Sequence, residues 1–212
     1  REQITFFEEP IGSISRKPGG QLIAFTMDAG GTENNQIFLL DPKNGSSQML
    51  TDGRSRNGGP LWEKNGSRIA YQSTRRNGQS NDVWMMDSKN IDSAEMILES
   101  PDGTWWGPSD WSKDGKKILI QNYISITNAK AYLLDIESKK KEMILGSDST
   151  ESYNAILSFD RSQKGVFFLT NEFGEFNQLA HKDLATNKIS ILTKNIPWDI
   201  GGFAISTDYK RV

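Results

Sequence analysis

Residues 62–73 read WEKNGSRIAYQS, and beneath them fit residues 111–122, WSKDGKKILIQN, residues 159–170, FDRSQKGVFFLT, and residues 205–212, ISTDYKRV. In each copy an apolar anchor is followed seven residues later by a second: Trp62 and Ile69, Trp111 and Ile118, Phe159 and Val166, Ile205 and Val212. An earlier copy is read from Ile14 to Ile23, with two extra residues around Pro18, Gly19 and Gly20. The anchors at 14, 62, 111, 159 and 205 then lie 48, 49, 48 and 46 residues apart. A second feature keeps step: QIFLLD, DVWMMD, KAYLLD and QLAHKD end at Asp41, Asp87, Asp135 and Asp183, and each is followed by SQMLT, AEMIL, KEMIL or ISILT. Three features repeating in register mark a repeat architecture.

Each unit therefore reads strand, turn, strand, loop, strand, turn, strand. The first turn carries Asn65-Gly66, Asp114-Gly115 or Lys164-Gly165, and the Asn-Gly and Asp-Gly pairs supply the positive φ of two-residue hairpins. The second strand is nearly continuous apolar sequence, as in KILI and GVFFL, which predicts burial on both faces. Four-stranded antiparallel meanders at this period are β-propeller blades. A β-sandwich also has short, regular strands but gives no reason for features to recur in register. Helical repeats would place Gly and β-branched residues in helix interiors. The Gly-His and Trp-Asp marks of ordinary WD repeats are missing.

The expected fold is thus an all-β, incomplete propeller of four-stranded antiparallel blades. Its blades run about 11–53, 54–103, 104–148 and 149–195, with 196–212 starting a fifth and 1–10 forming a strand of an adjoining blade. On this reading the chain is a piece of a larger propeller, cut at both ends, and is expected to associate through open blade edges.

Composition agrees with many short strands and tight turns: 35% hydrophobic residues, 25% charged and 19 Gly in 212 residues. A net charge of -2 gives no basic field for nucleic acid or an anionic membrane. No apolar run approaches the roughly 18 residues of a membrane span. The chain has no Cys, so no disulfide or thiolate metal site can form within it. No cofactor or metal is called for.

Nucleophile motifs are missing. Ser47, Ser55, Ser80 and Ser109 each have Gly two residues before but none two residues after, so no Gly-x-Ser-x-Gly elbow exists. His181, the single imidazole, reads as a strand residue, because a catalytic or metal role needs partners beside it. Asp41, Asp87, Asp135 and Asp183 read as turn residues that bond nearby amides. Asn44 and Asn65 open Asn-Gly-Ser sequences that suit turns as well as glycosylation acceptors. Loop geometry points to a binding face instead. The loops after each second strand and between blades emerge together and carry Arg54, Arg56, Arg75, Arg76, Trp105 and Trp106, with Glu172 and Glu175 from the fourth blade. Arg and Trp are the side chains most enriched at binding hot spots; the plainer reading is a set of solvated loops with one Trp tucked under a blade.

The stretches REQITFFEEPIGSIS (1–15), LTDGRSRNGGPLW (50–62), STRRNG (73–78), ILIQNYISI (118–126), FFLTNEFGEFNQL (167–179) and NIPWDI (195–200) resemble the N-terminal propeller of bacterial serine peptidases of the prolyl oligopeptidase family, in the dipeptidyl-peptidase and acylaminoacyl-peptidase branch. QITFFEEP and SRNGGP carry the resemblance best, since the blade consensus is shared with the periplasmic Tol-system propeller. The resemblance implies a C-terminal α/β-hydrolase domain in the same parent chain, which would hold the Ser, Asp and His triad, and a peptide substrate filtered by the propeller. It leans towards a periplasmic or secreted protein. Family carboxylates that grip a substrate's amino terminus have no recognisable motif here. The competing expectation is a protein-binding propeller of the Tol-system type with no enzymatic partner domain.

Overall fold

The computed structural model describes residues 3–28 and 30–206. Sixteen strands among them make four separate antiparallel meanders of four strands each. The first holds β1 (Ile11–Arg16), β2 (Ile23–Met27), β3 (Gln36–Asp41) and β4 (Ser46–Met49). In the second are β5 (Asn57–Trp62), β6 (Arg68–Ser73), β7 (Asp82–Asp87) and β8 (Asn90–Leu98). The third consists of β9 (Trp105–Trp111), β10 (Lys117–Ser125), β11 (Asn128–Asp135) and β12 (Lys141–Leu145). The last comprises β13 (Asn154–Phe159), β14 (Gly165–Thr170), β15 (Gln178–Asp183) and β16 (Ile189–Ile191). Each sheet pairs neighbours in sequence order, the connectivity of a propeller blade. No helix long and apolar enough to cross a membrane occurs among the described residues.

Two compact units divide the chain, residues 1–108 and 109–212. The core of the first gathers Ala24, Ile37, Leu50, Trp62, Ile69, Tyr71 and Met86. In the second, Leu119, Ile144, Ile156, Phe159, Val166 and Phe168 pack together. Burying each of the Val, Leu, Ile, Met and Phe side chains among them contributes about 1.5–3 kcal/mol. As the apolar runs predict, β6, β10 and β14 are buried on both faces: Ile69, Ala70 and Tyr71, then Ile118, Leu119 and Ile120, then Val166, Phe168 and Leu169.

The hairpins between first and second strands share one construction, and it corrects two expectations. Glu63 N–H donates to Arg68 O (2.9 Å) while Gly66 N–H donates back to Glu63 O (2.8 Å). The same two bonds recur from Ser112 to Lys117 and Gly115, from Asp160 to Gly165 and Gln163, and from Lys17 to Leu22 and Gly20. These loops hold four residues around a tight turn, not two. The left-handed positions are Gly66 (φ 74°), Gly115 (φ 69°) and Gln163 (φ 62°), with Gly19 (φ 64°) one place earlier in the first loop. Gly165 instead opens β14, where a Cβ would lie 2.4 Å from His181 Nε2. Register also moves the first anchor. Arg16 pairs with Ile23 as Trp62 pairs with Ile69 and Phe159 with Val166. The first loop therefore has no extra residues, and Ile14, 66% exposed, is not the anchor.

The repeated aspartates close the turns between third and fourth strands. Asp41 Oδ1 accepts Lys43 N–H (3.0 Å), Asp87 Oδ1 accepts Lys89 N–H (2.7 Å), Asp135 Oδ1 accepts Ser138 N–H (2.9 Å), and Asp183 Oδ1 accepts Ala185 and Thr186 N–H (3.0 and 2.8 Å). Asn44 and Asn65 likewise accept the N–H of Ser46 and Ser67. Residues 3–10 and 196–206 form no strand, and Val212, the last anchor, lies outside the described residues.

Candidate functional site

Three loops of the first unit converge: those joining β2 to β3, β4 to β5 and β6 to β7. They enclose an open hollow of about 740 Å³ lined by Asn34, Asp52, Arg54, Ser55, Arg56, Thr74, Arg75 and Gly78. Three of the predicted residues, Arg54, Arg56 and Arg75, are thereby brought together.

The loop carrying Arg54 and Arg56 is tightly built. Asp52 Oδ1 accepts the N–H groups of Arg54 (3.0 Å) and Ser55 (2.8 Å), and its Oδ2 accepts the Ser55 hydroxyl at 2.5 Å. Partial burial pushes the Asp52 carboxyl up, but the Ser55 hydroxyl, both amides and the Arg75 charge together hold it below the ordinary 3.8. Beneath the loop lies Gln36, fully buried. Its Oε1 accepts from the Thr51 hydroxyl (2.7 Å), Gly53 N–H (2.9 Å) and Asn57 Nδ2 (3.2 Å), and its Nε2 donates to Ser55 O (2.7 Å). Arg56 N–H donates to the Thr74 hydroxyl (3.0 Å), and Thr74 N–H returns to Arg56 O (3.0 Å). The backbone under the two arginines is thus fixed, while their exposed guanidinium groups meet no hydrogen-bonding or ionic partner among the described residues.

Arg75 forms the firmer wall. Its guanidinium lies 5.3 Å over the Trp84 ring and its Nε 3.9 Å from Asp52 Oδ2. Below it, burial pushes the Tyr71 phenol up to about 12, with the Arg75 charge opposing. Tyr71 is therefore a neutral phenol at ordinary pH.

The other predicted residues are placed differently. Arg76 is already paired at the surface, with Nε 2.8 Å from Asp82 Oδ2, Nη2 3.1 Å from Asp82 Oδ1 and Nη1 3.1 Å from Glu99. Trp106 is 2% exposed and its Nε1 donates to Asp102 at 3.1 Å. Trp105, 37% exposed, lies over Gly107, where a Cβ would come within 2.4 Å of the indole. Glu172 and Glu175 belong to the second unit and project as exposed side chains from the loop joining β14 to β15. His181 sits in β15 with Nε2 3.0 Å from Asp160 Oδ2 and its ring edge-on to Phe167, a structural pairing.

Gln36 and Asn57 are the residues that sequence reasoning missed. Gln36 heads QIFLLD, and Asp82 and Lys130 head the two following copies. Each reaches the loop leading out of its own sheet: Gln36 as above, Asp82 to Ser100 N–H (2.8 Å), and Lys130 to Asp148 (2.6 Å). A polar residue opening an otherwise apolar strand was the available signal.

The profile of the prolyl oligopeptidase N-terminal β-propeller domain matches residues 10–199. No curated protein matches. Among solved structures, TolB from Acinetobacter baumannii is similar at 19% identity and a TM-score of 0.68, covering 90% of this chain and 45% of that one. One of two prolyl endopeptidases studied for inter-domain dynamics gives 13% identity and a TM-score of 0.70 over 90% of this chain and 29% of the other. A puromycin-hydrolysing peptidase of Mycobacterium tuberculosis gives 10% and 0.64, with coverage of 90% and 29%. The chain thus spans less than half the length of these three proteins, and the likenesses speak for the propeller fold. With the profile matched over nearly its whole length, the chain belongs to the prolyl oligopeptidase N-terminal β-propeller family.

Proposed function

We propose that the chain is the non-catalytic, substrate-gating propeller of a serine peptidase that acts on short peptides. The match of the prolyl oligopeptidase propeller profile across residues 10–199 carries this reading. A C-terminal α/β-hydrolase domain of the parent protein would supply nucleophile, base and oxyanion hole. The blades would then restrict which peptides reach it. Arg54, Arg56 and Arg75 are the propeller residues proposed to meet the peptide in the first unit, where Trp105 is a further candidate; Glu172 and Glu175 are candidates of the second unit, taken by itself.

The test uses the natural full-length protein. It should hydrolyse aminoacyl or dipeptidyl chromogenic substrates, take covalent label from a serine-directed fluorophosphonate, and cleave short peptides while sparing the same sequences embedded in folded proteins. Absence of labelling and of peptide cleavage would overturn the reading.

The TolB likeness favours a second reading, a protein-docking propeller with no enzymatic partner domain, since a putative TolB from Agrobacterium tumefaciens matches with a TM-score of 0.70 over 64% of its length. Under that reading the natural protein binds another protein through its loops and never reacts with the fluorophosphonate.

A further inference from the structure

The charges lining the hollow of the first unit are unbalanced. Three guanidinium groups face one carboxylate, Asp52. That carboxylate is already occupied: two amides and the Ser55 hydroxyl take up its oxygens, and Arg75 approaches only to 3.9 Å. Arg54 and Arg56 have no side-chain partner among the described residues. The excess is local, because the chain as a whole carries a net charge of -2.

Single exposed arginines are ordinary. This group differs in its foundations. The Gln36 network and the Thr74 bonds hold the backbone of Arg54 and Arg56, and the Trp84 face holds Arg75. A fixed backbone spares the cost of ordering the loop, so that only the side chains' rotamer freedom is lost on binding, and the planar guanidinium forks match the two oxygens of a carboxylate. The volume, about 740 Å³, exceeds what one small anion fills and suits a residue or two around it.

We propose that this hollow is a carboxylate-binding subsite for short peptides, with Arg54 and Arg56 as the forks that meet the ligand and Arg75 as the fixed wall. The proposal rests on the peptide-gating reading above. The carboxylate can come from a peptide's C-terminus or from an Asp or Glu side chain, and the chemistry of recognition is the same.

The test is fluorescence anisotropy with the natural full-length protein and three N-terminally labelled peptides. One has neutral side chains and a free C-terminus, the second is its C-terminal amide, and the third is that amide with one Glu added. The first or third should bind about tenfold more tightly than the second, as a charge-assisted bidentate contact allows, and whichever does so identifies the source. Arg54→Gln with Arg56→Gln should abolish the difference, and Arg54→Lys with Arg56→Lys should restore part of it. Equal affinity for all three peptides would overturn the proposal. So would an unaltered preference in the Gln double variant, or a site that takes inorganic phosphate and no peptide. If the protein cleaves peptides yet ignores their carboxylates, this inference alone fails; if it neither binds nor cleaves peptides, the gating reading fails with it.

Discussion

Arg75 and Arg76 are neighbours with opposite duties. Arg76 holds Asp82, which is fully buried, through two of its nitrogens. Removing it leaves that carboxylate in the interior without its counter-charge. Arg76→Ala should therefore lower the thermal midpoint by roughly 5–10 °C, whereas Arg75→Ala, half-exposed on the Trp84 face, should shift it by less than about 2 °C. Differential scanning calorimetry decides, and equal shifts would contradict the assignment. Gly165 offers a second case. A Cβ there would sit 2.4 Å from His181 Nε2 and 2.7 Å from Asp160 Oδ2, so Gly165→Ala should cost about 1–3 kcal/mol by overpacking. If the imidazole is the obstacle, Gly165→Ala combined with His181→Ala should be less destabilised in urea than the sum of the single variants. Strict additivity would place the strain elsewhere.

Elements are joined through Gln36, whose amide serves the loop from β4 to β5 from inside. Gln36→Leu keeps the bulk but strands the Thr51 hydroxyl and Gly53 N–H, while the Asn57 amide keeps Ser55 O and Asn35 O as acceptors. A loss of about 2–4 kcal/mol is expected. Amide exchange should quicken at residues 51–56 before it does in β6, and uniform quickening would rule out a local role. The order of strands was legible because apolar runs and Asp-closed turns repeat their chemistry at each copy. Positions 36, 82 and 130 were not, since the same place is filled by Gln, Asp and Lys, whose chemistry does not repeat from copy to copy. The slip at the first hairpin has the same origin: Arg16 is polar where Trp62 and Phe159 are apolar, so a search for apolar anchors slides to Ile14. At the site, loop topology told that Arg54, Arg56 and Arg75 share a face. It could not tell that Arg76 is engaged by Asp82 or that Trp106 turns inward, because that depends on Asp82 and Asp102 standing beside them.

Across the molecule, seven carboxyls among the described residues are held below their ordinary values: Asp52, Glu63, Asp102, Asp114, Asp135, Asp160 and Asp183. For Glu63 the hydrogen bonds from Arg68 are the main cause; for Asp160 burial works upward and the His181 bond outweighs it with its neighbours. The folded chain thus binds fewer protons than the unfolded one in acid. Stability from these groups is complete above the ordinary values, 3.8 for Asp and 4.5 for Glu, and is lost as pH falls through the lowered native ones. Circular dichroism melts should give a midpoint that is flat from about pH 7 to 5 and falls steeply below about pH 4; a fall beginning near neutrality would contradict it. The changing chemistry at positions 36, 82 and 130 has a further consequence for how such a chain assembles. Blades with nearly identical strands could dock in the wrong order or exchange places between molecules during synthesis. Because Asp82 and Lys130 each reach the loop that leaves their own sheet, the changing chemistry at that place tells one sheet's third strand from another's. A strand carrying Asp82, exchanged into the third sheet, would meet the carboxylate of Asp148 and be rejected before it consolidates.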